Sequence, residues 1–142
     1  MSDFNTQIID EFRANGGTVT TAGFGDSLVI VHSIGSKSGA ARVSPVVAIT
    51  QDDGSWLIAA SKAGAPDNPA WYGNLVATPD VTLEVPAADG SGVETVDVHA
   101  EVLSGAERDA GWAQFTERYE GFRGYEARAV GRVIPVVRLV RR

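Results

Sequence analysis

The chain has 142 residues, enough for one compact domain with a sizeable core, and its 44% hydrophobic and 21% charged residues are those of a globular protein. It holds no cysteine, which excludes a disulfide framework, a thiolate nucleophile, an iron–sulfur cluster and Cys-ligated zinc. Twelve Lys and Arg against eighteen Asp and Glu give a formal charge of −6, a balance that opposes nucleic-acid binding.

Residues 3–15 read as a packing helix: Phe4, Ile8 and Phe12 recur every four positions, Asp10 and Glu11 mark the polar face, and Gly16-Gly17 stops it. From residue 27 the pattern turns to strands. A β-branched run over 27–34 ends at Gly35-Ser36-Lys37-Ser38-Gly39, and a second run covers 42–50. Gln51-Asp52-Asp53-Gly54 is a hairpin signal before a strand at 56–60. Breakers fill 61–69, and Pro69 suits the first turn of a short helix over 70–77.

Strands at 81–85 and 93–103 form a further predicted hairpin. In the second, Val96, Val98, Ala100 and Val102 alternate with polar residues, the period of a half-buried strand. Ser104 and Glu107 form a capping-box pattern for a helix through Tyr119, a shorter helix follows over 122–130, and a strand at 133–140 closes the chain. Pro135 puts a bulge or an edge at the start of that strand. Without repeats, linkers or low-complexity tracts, residues 1–142 form a single domain. Short strands joined by hairpins point to a closed or split antiparallel barrel with peripheral helices, not a parallel α/β sheet.

Charge is unevenly placed. Residues 63–100 carry six acidic residues and no Lys or Arg, whereas 128–142 carry five arginines and no acid. Lys37, Arg42 and Lys62 form a second stretch that runs against the overall sign. Local charge, not the net value, decides which ligands a surface takes.

Two loops could hold an anion. Gly35-Ser36-Lys37-Ser38-Gly39 with Arg42 offers backbone N–H groups, a hydroxyl and cations. The glycine spacing is not that of a P-loop, and the plainer reading is a hairpin turn with a solvated lysine. Ser61-Lys62-Ala63-Gly64-Ala65-Pro66 follows an apolar strand, where a barrel rim presents backbone to a ligand or merely connects strand to helix. Trp71 and Leu75 share a helix face and read as core, with Tyr72 and Asn74 beside them. Tyr119, Phe122 and Tyr125 recur every three residues on one side of a helical segment, in a partly wet cleft. Neither His32 nor His99 has a partner pattern for a triad or a metal, so both take structural or surface roles. Spacing alone leads to a small barrel with a basic, glycine-lined anion site and does not name the ligand.

The motifs from Gly35 to Arg42 and Pro45, from Ser61 to Pro66, then Pro69, Trp71-Tyr72 and Asn74-Leu75, resemble the deazaflavin-dependent nitroreductase family of actinobacteria. So do Glu11-Phe12-Arg13-Ala14-Asn15-Gly16-Gly17 and Gly131-Arg132-Val133-Ile134-Pro135-Val136-Val137. The resemblance implies a mainly β (α+β) fold, a split antiparallel β-barrel of the FMN-binding-like type with a few peripheral helices. It also implies an enzyme that binds coenzyme F420 and passes a hydride from the reduced form to an electron-poor small molecule: a quinone, an enone or lactone, or a nitro compound. A borrowed hydride explains why the chain needs no nucleophile or metal of its own.

By the same resemblance, Lys37, Ser38, Gly39 and Arg42 take the coenzyme's phosphate and glutamate tail. The ring lies near Pro45, Val46, Val47 and the Ser61-Lys62-Ala63-Gly64 loop, with Trp71 in the same set. Ser61, Tyr119 and Tyr125 shape the acceptor pocket, one of the tyrosines serving as hydrogen-bond or proton donor. Two departures stand out: Ser36 replaces an arginine common before the loop lysine, and Phe122 replaces a tyrosine. A non-catalytic carrier of the coenzyme and an FMN-binding barrel are the alternatives. Met1-Ser2-Asp3-Phe4-Asn5 lacks the start of a secretory signal, and no apolar run is long enough to span a bilayer. A cytoplasmic protein is expected, with transient contact at the inner membrane face left open, as is its oligomeric state.

Overall fold

The computed structural model describes residues 4–21, 24–35, 38–61, 68–87, 92–119, 121–128 and 133–142. In chain order the elements are α1 (Phe4–Ala14), β1 (Leu28–Ile34), β2 (Ala41–Thr50), β3 (Trp56–Ala59), α2 (Ala70–Ala77), β4 (Asp80–Pro86), β5 (Val93–Val102), α3 (Gly105–Arg118), α4 (Gly121–Arg128) and β6 (Val136–Arg141). The strands close into an antiparallel barrel in the order β1-β2-β3-β6-β5-β4, as the hairpin spacing predicts. Pairing of β1 with β4, Val31 opposite Leu83, completes the ring.

Strand periodicity explains how the core divides. Val29, Val31, Trp56, Ile58, Leu83, Val98 and Leu139 point into the barrel, and Trp71 and Leu75 of α2 join them, so that short helix plugs one end. On the outside, Leu28 and Ile30 lie under α1 with Ile8 and Phe12. Burial on both faces accounts for the continuous apolar run of β1. A second outer layer packs Ile49, Leu57 and Val136 against Trp112 and Phe115 of α3. There α3 approaches closely because residue 111 is glycine: a Cβ at Gly111 would stand 3.0 Å from Val136 Cγ1.

Several details depart from the sequence reading. Ser104 makes no side-chain cap on α3. Glu107 of the same motif instead meets Arg138, which donates from Nη2 over 3.4 Å. Val102, expected inside, is 47% exposed. It is the last residue of β5, one layer beyond Ala100, and Leu103 turns under α3 instead. β6 starts at Val136 because Pro135 lacks an N–H; its carbonyl accepts from the Ala60 N–H at 2.9 Å.

Glu11 is not an idle polar-face residue. Its carboxylate accepts from the amides and hydroxyls of Thr20 and Thr21, and these four hydrogen bonds lower its pKa to about 2. His32 also has a partner, since its Nε2 lies 2.6 Å from Glu84 Oε2. Among the described residues no helix is long and apolar enough to cross a membrane.

Candidate functional site

The β1–β2 hairpin ends in a tight loop. Gly35 donates to the Ala40 carbonyl at 2.8 Å, and Gly39, at φ +71°, donates back to the Gly35 carbonyl at 2.9 Å. Glycine suits that left-handed position at no steric cost. The Ser38 hydroxyl accepts from the Ala40 N–H at 3.2 Å. A Cβ at Gly35 would fall 2.6 Å from Ser38 Oγ and 3.6 Å from Arg42 Nε, so the bare glycine lets hydroxyl and guanidinium converge. Lys37 of the predicted anion loop lies outside the described residues, as do Lys62, Ala63 and Gly64.

Opposite this loop stands α2. Between them runs a groove of about 790 Å³, with Gly35, Ser38, Arg42 and Ser44 on one wall and residues 68–74 on the other. Asn74, buried in the α2 wall, donates from Nδ2 to Ser33 Oγ at 3.3 Å and anchors the helix to β1. The structure thus brings Ser38, Arg42 and Trp71 to one groove, from segments about 30 residues apart. Ser44 carries no motif of its own, whereas Asn74 belongs to the Trp71-Tyr72 and Asn74-Leu75 segment already singled out in the sequence.

Electrostatics separate the two basic stretches. Arg138 reaches Glu101 at 3.6 Å and Glu107 at 3.4 Å, and Arg141 reaches Glu94 at 3.6 Å. Arg142 lies 3.9 Å from Asp80 and 4.0 Å from Asp97. Acidic residues of β4, β5 and α3 therefore neutralise Arg138, Arg141 and Arg142. Arg42 is exposed and forms no ion pair among the described residues.

β2 is the wall between the groove and a second feature. Pairing with β3 runs only over 48–50, opposite 56–58. Residues 41–47 therefore have no strand on that edge among the described residues. Gly35 donates to Ala40 and Ala48 donates to Ser27, which sets the alternation: even residues bond to β1, and the backbone groups of Val43, Pro45 and Val47 face the open edge. Pro45 is tolerated there because its missing N–H subtracts nothing from the β1 ladder. Val46 turns toward the barrel core, whereas Val47 packs on the outer layers. Ser61, just after β3, is buried at 9% exposure.

The outer face carries the aromatic group. α3 ends at Arg118, Tyr119 is extended, and α4 begins at Gly121, so the three rings come from a helix end and a second helix, not from one continuous segment. They nevertheless meet. Phe122 lies 5.6 Å from Tyr119, 5.1 Å from Tyr125, 5.4 Å from Phe115 and 5.9 Å from Trp112, between ring centroids. The guanidinium of Arg128 sits 5.3 Å over the Tyr125 ring. Tyr119 and Tyr125 pack on the outer layer that also takes Val47 and Ala59, and neither lines the groove.

The profile of the F420H(2)-dependent quinone reductase family matches residues 5–141. An F420H(2)-dependent quinone reductase of Mycobacterium tuberculosis is 33% identical over 116 residues, 80% of this chain and 73% of the relative. The solved structure of an F420-H2 dependent reductase, FDR-A, is 31% identical, with a TM-score of 0.66 over 80% of this chain and 93% of that one. The heme storage protein HutZ of Vibrio cholerae, 15% identical, shares the fold with a TM-score of 0.60 over 94% and 87% of the two chains. By a profile that runs from α1 to the last strand, and by a relative alike over most of its length, the chain belongs to the F420H(2)-dependent quinone reductase family, oxidoreductases that depend on reduced coenzyme F420.

Proposed function

We propose that the groove between the 35–42 loop and α2 holds coenzyme F420, and that the chain reduces a quinone at the outer side of β2. The observation that carries this reading is Arg42: a guanidinium without an ion pair among the described residues, beside Ser38 in a groove whose other wall, residues 68–74, includes Trp71. The coenzyme's tail is a phosphodiester with carboxylates, the chemistry that charge-assisted arginine bonds and a glycine-rich turn accept. Lys37, Ser38, Gly39 and Arg42 hold that tail. A heteroaromatic ring with alternating donors and acceptors suits the edge of β2, where Val43 and Val47, and Pro45 through its carbonyl, have no strand partner among the described residues. Ser61 follows the end of β3, Val46 backs the wall from the barrel side, and Lys62, Ala63 and Gly64 are assigned to the ring by the motif they share with the family.

When bound, the coenzyme supplies the hydride; the chain's own work is to bind, orient and polarise. Tyr125 or Tyr119 donates a hydrogen bond to the acceptor oxygen on which charge develops. Enones, lactones and nitro compounds likewise gather negative charge on an oxygen when a hydride arrives, and belong to the candidate range. The same reading places the protein in the cytoplasm, visiting the inner membrane face when the quinone is lipid-soluble.

Calorimetry with coenzyme F420 and FMN, followed by oxidation of the reduced coenzyme with menadione, tests the reading. Binding of F420 with menadione-dependent oxidation is expected. A preference for FMN overturns the cofactor assignment, and tight F420 binding without turnover on any acceptor leaves a carrier.

A further inference from the structure

Trp112 lies on the buried face of α3, 5% exposed. Its indole Nε1 is the one buried side-chain nitrogen or oxygen among the described residues without a hydrogen-bond partner. Leaving such a donor unpaired costs about 1–3 kcal/mol, and isolated exceptions in a native fold call for a reason. The neighbours supply none. Phe115 and Phe122 stand 6.4 and 5.9 Å away between centroids and offer carbon. Arg108 sits 5.6 Å over the indole ring, but a guanidinium only donates, and its Nε and Nη2 are spent on the Ile134 carbonyl at 3.0 and 2.8 Å.

Phe122, half-buried on the eight-residue helix α4, is the ring that meets Trp112, Phe115, Tyr119 and Tyr125 alike. A flat, apolar molecule of one or two fused rings could take its place against Trp112 and Tyr125 at little loss of aromatic contact. What such a molecule adds, and Phe122 lacks, is an oxygen. A quinone has both properties. We propose that Trp112 is an acceptor-binding residue: its indole N–H donates to a carbonyl oxygen of the quinone, which enters by displacing Phe122 from over the indole. The proposal rests on the quinone-reductase reading and deepens it. Reduction adds one hydride and one proton to the quinone to give the quinol. An N–H fixed on the oxygen that carries the negative charge between those two events binds the transition state more tightly than the neutral ground state.

Two measurements test this. Trp112→Phe keeps a ring and deletes the donor, so kcat/KM for menadione should fall roughly tenfold, equivalent to about 1.4 kcal/mol. Its thermal midpoint, set by relief of the orphan donor against the lost ring volume, checks that the variant is folded at the assay temperature. An unchanged kcat/KM overturns the proposal. In the wild-type protein, the indole N–H resonance of Trp112, assigned by its absence in the variant, should move downfield when menadione is added without coenzyme. The resonances of Trp56 and Trp71 should stay in place. A Trp112 resonance that stays put at saturating quinone also overturns the proposal, whatever the variant's folding. Failure of the wider reading looks different: no oxidation of the reduced coenzyme by the wild-type protein with any quinone.

Discussion

Arg13 grips Glu84 with two hydrogen bonds, 2.9 Å from Nε to Oε1 and 2.6 Å from Nη2 to Oε2, and so ties α1 to the far strand of the closing β1–β4 seam. Glu84 is 8% exposed and takes His32 on the same carboxylate, which makes it the shared acceptor of two cationic or donor groups from different elements.

Glu84→Gln should therefore cost about 1–3 kcal/mol of stability at neutral pH, since an amide cannot satisfy both partners as an anion does. The hydrogen bond from Arg13 is the largest cause holding the Glu84 carboxyl below its usual 4.5. A depressed carboxyl contributes stability that is fully present above the unfolded value and is lost as pH falls through the folded one. Urea unfolding of wild type and variant should thus show a full gap at pH 7 that narrows below about pH 4.5. A gap independent of pH over that range would show that the carboxylate charge is not what joins the two elements.

Arg42→Ala should raise the dissociation constant for coenzyme F420 roughly 10- to 100-fold, the range of one or two charge-assisted hydrogen bonds, with little change in thermal midpoint. Its side chain is exposed and has no carboxylate partner among the described residues. Arg138→Ala is the control: it loses Glu101 and Glu107, so a modest loss of stability with unchanged coenzyme binding is expected. Calorimetry and thermal melts on both variants separate a ligand-facing arginine from a structural one.

That contrast also marks how far the sequence alone reaches. Strand period, hairpin turns and the glycine stops at residues 16, 35 and 39 are local signals, and each element appears within a few residues of its expected place. Pro45 even announces the open edge of β2, because a proline in a strand has to face one. The fate of the C-terminal arginines is not local. It depends on β6 lying beside β5, about 40 residues apart in the chain, which brings Arg138 opposite Glu101. The same adjacency draws Glu107 away from the Ser104 cap. Most of the second anion-loop candidate lies outside the described residues and the first is a loop as expected, whereas Ser44 and Trp112 carried no signal of a site. Each of these owes its role to what packs around it, and a single tryptophan in a helix reads as core until its N–H is seen to have no partner.

Gly35→Ala tests whether the loop's backbone shape, and not merely its charge, makes the groove. The added Cβ would meet Ser38 Oγ at 2.6 Å and sit 3.6 Å from Arg42 Nε, so the hydroxyl must swing away. The affected atoms are exposed, so the barrel should keep its melting temperature within a few degrees while coenzyme affinity falls several-fold. Loss of folding together with affinity would instead assign Gly35 to the hairpin alone.

Tyr125 and Tyr119 compete for the role of donor, and their surroundings favour Tyr125. Both rings touch Phe122, at 5.1 and 5.6 Å between centroids, so replacing either by phenylalanine leaves the cluster packed and removes only an oxygen. Among the described residues a guanidinium lies over the ring of Tyr125, that of Arg128 at 5.3 Å, and none over that of Tyr119. A cation held there fixes the ring by its attraction to the π face and so fixes the direction of its O–H. Tyr125→Phe should lower the single-turnover rate of menadione reduction about 10- to 100-fold, toward the lower end of what a positioned acid contributes, and should shrink the solvent deuterium isotope effect on that step. Tyr119→Phe should change the rate by less than about threefold on the same argument. Equal effects from the two substitutions would mean that both hydroxyls reach the acceptor through water. A large effect from Tyr119→Phe alone would move the donor to the end of α3, where the Tyr119 backbone is already fixed by a 2.8 Å hydrogen bond to the Phe115 carbonyl.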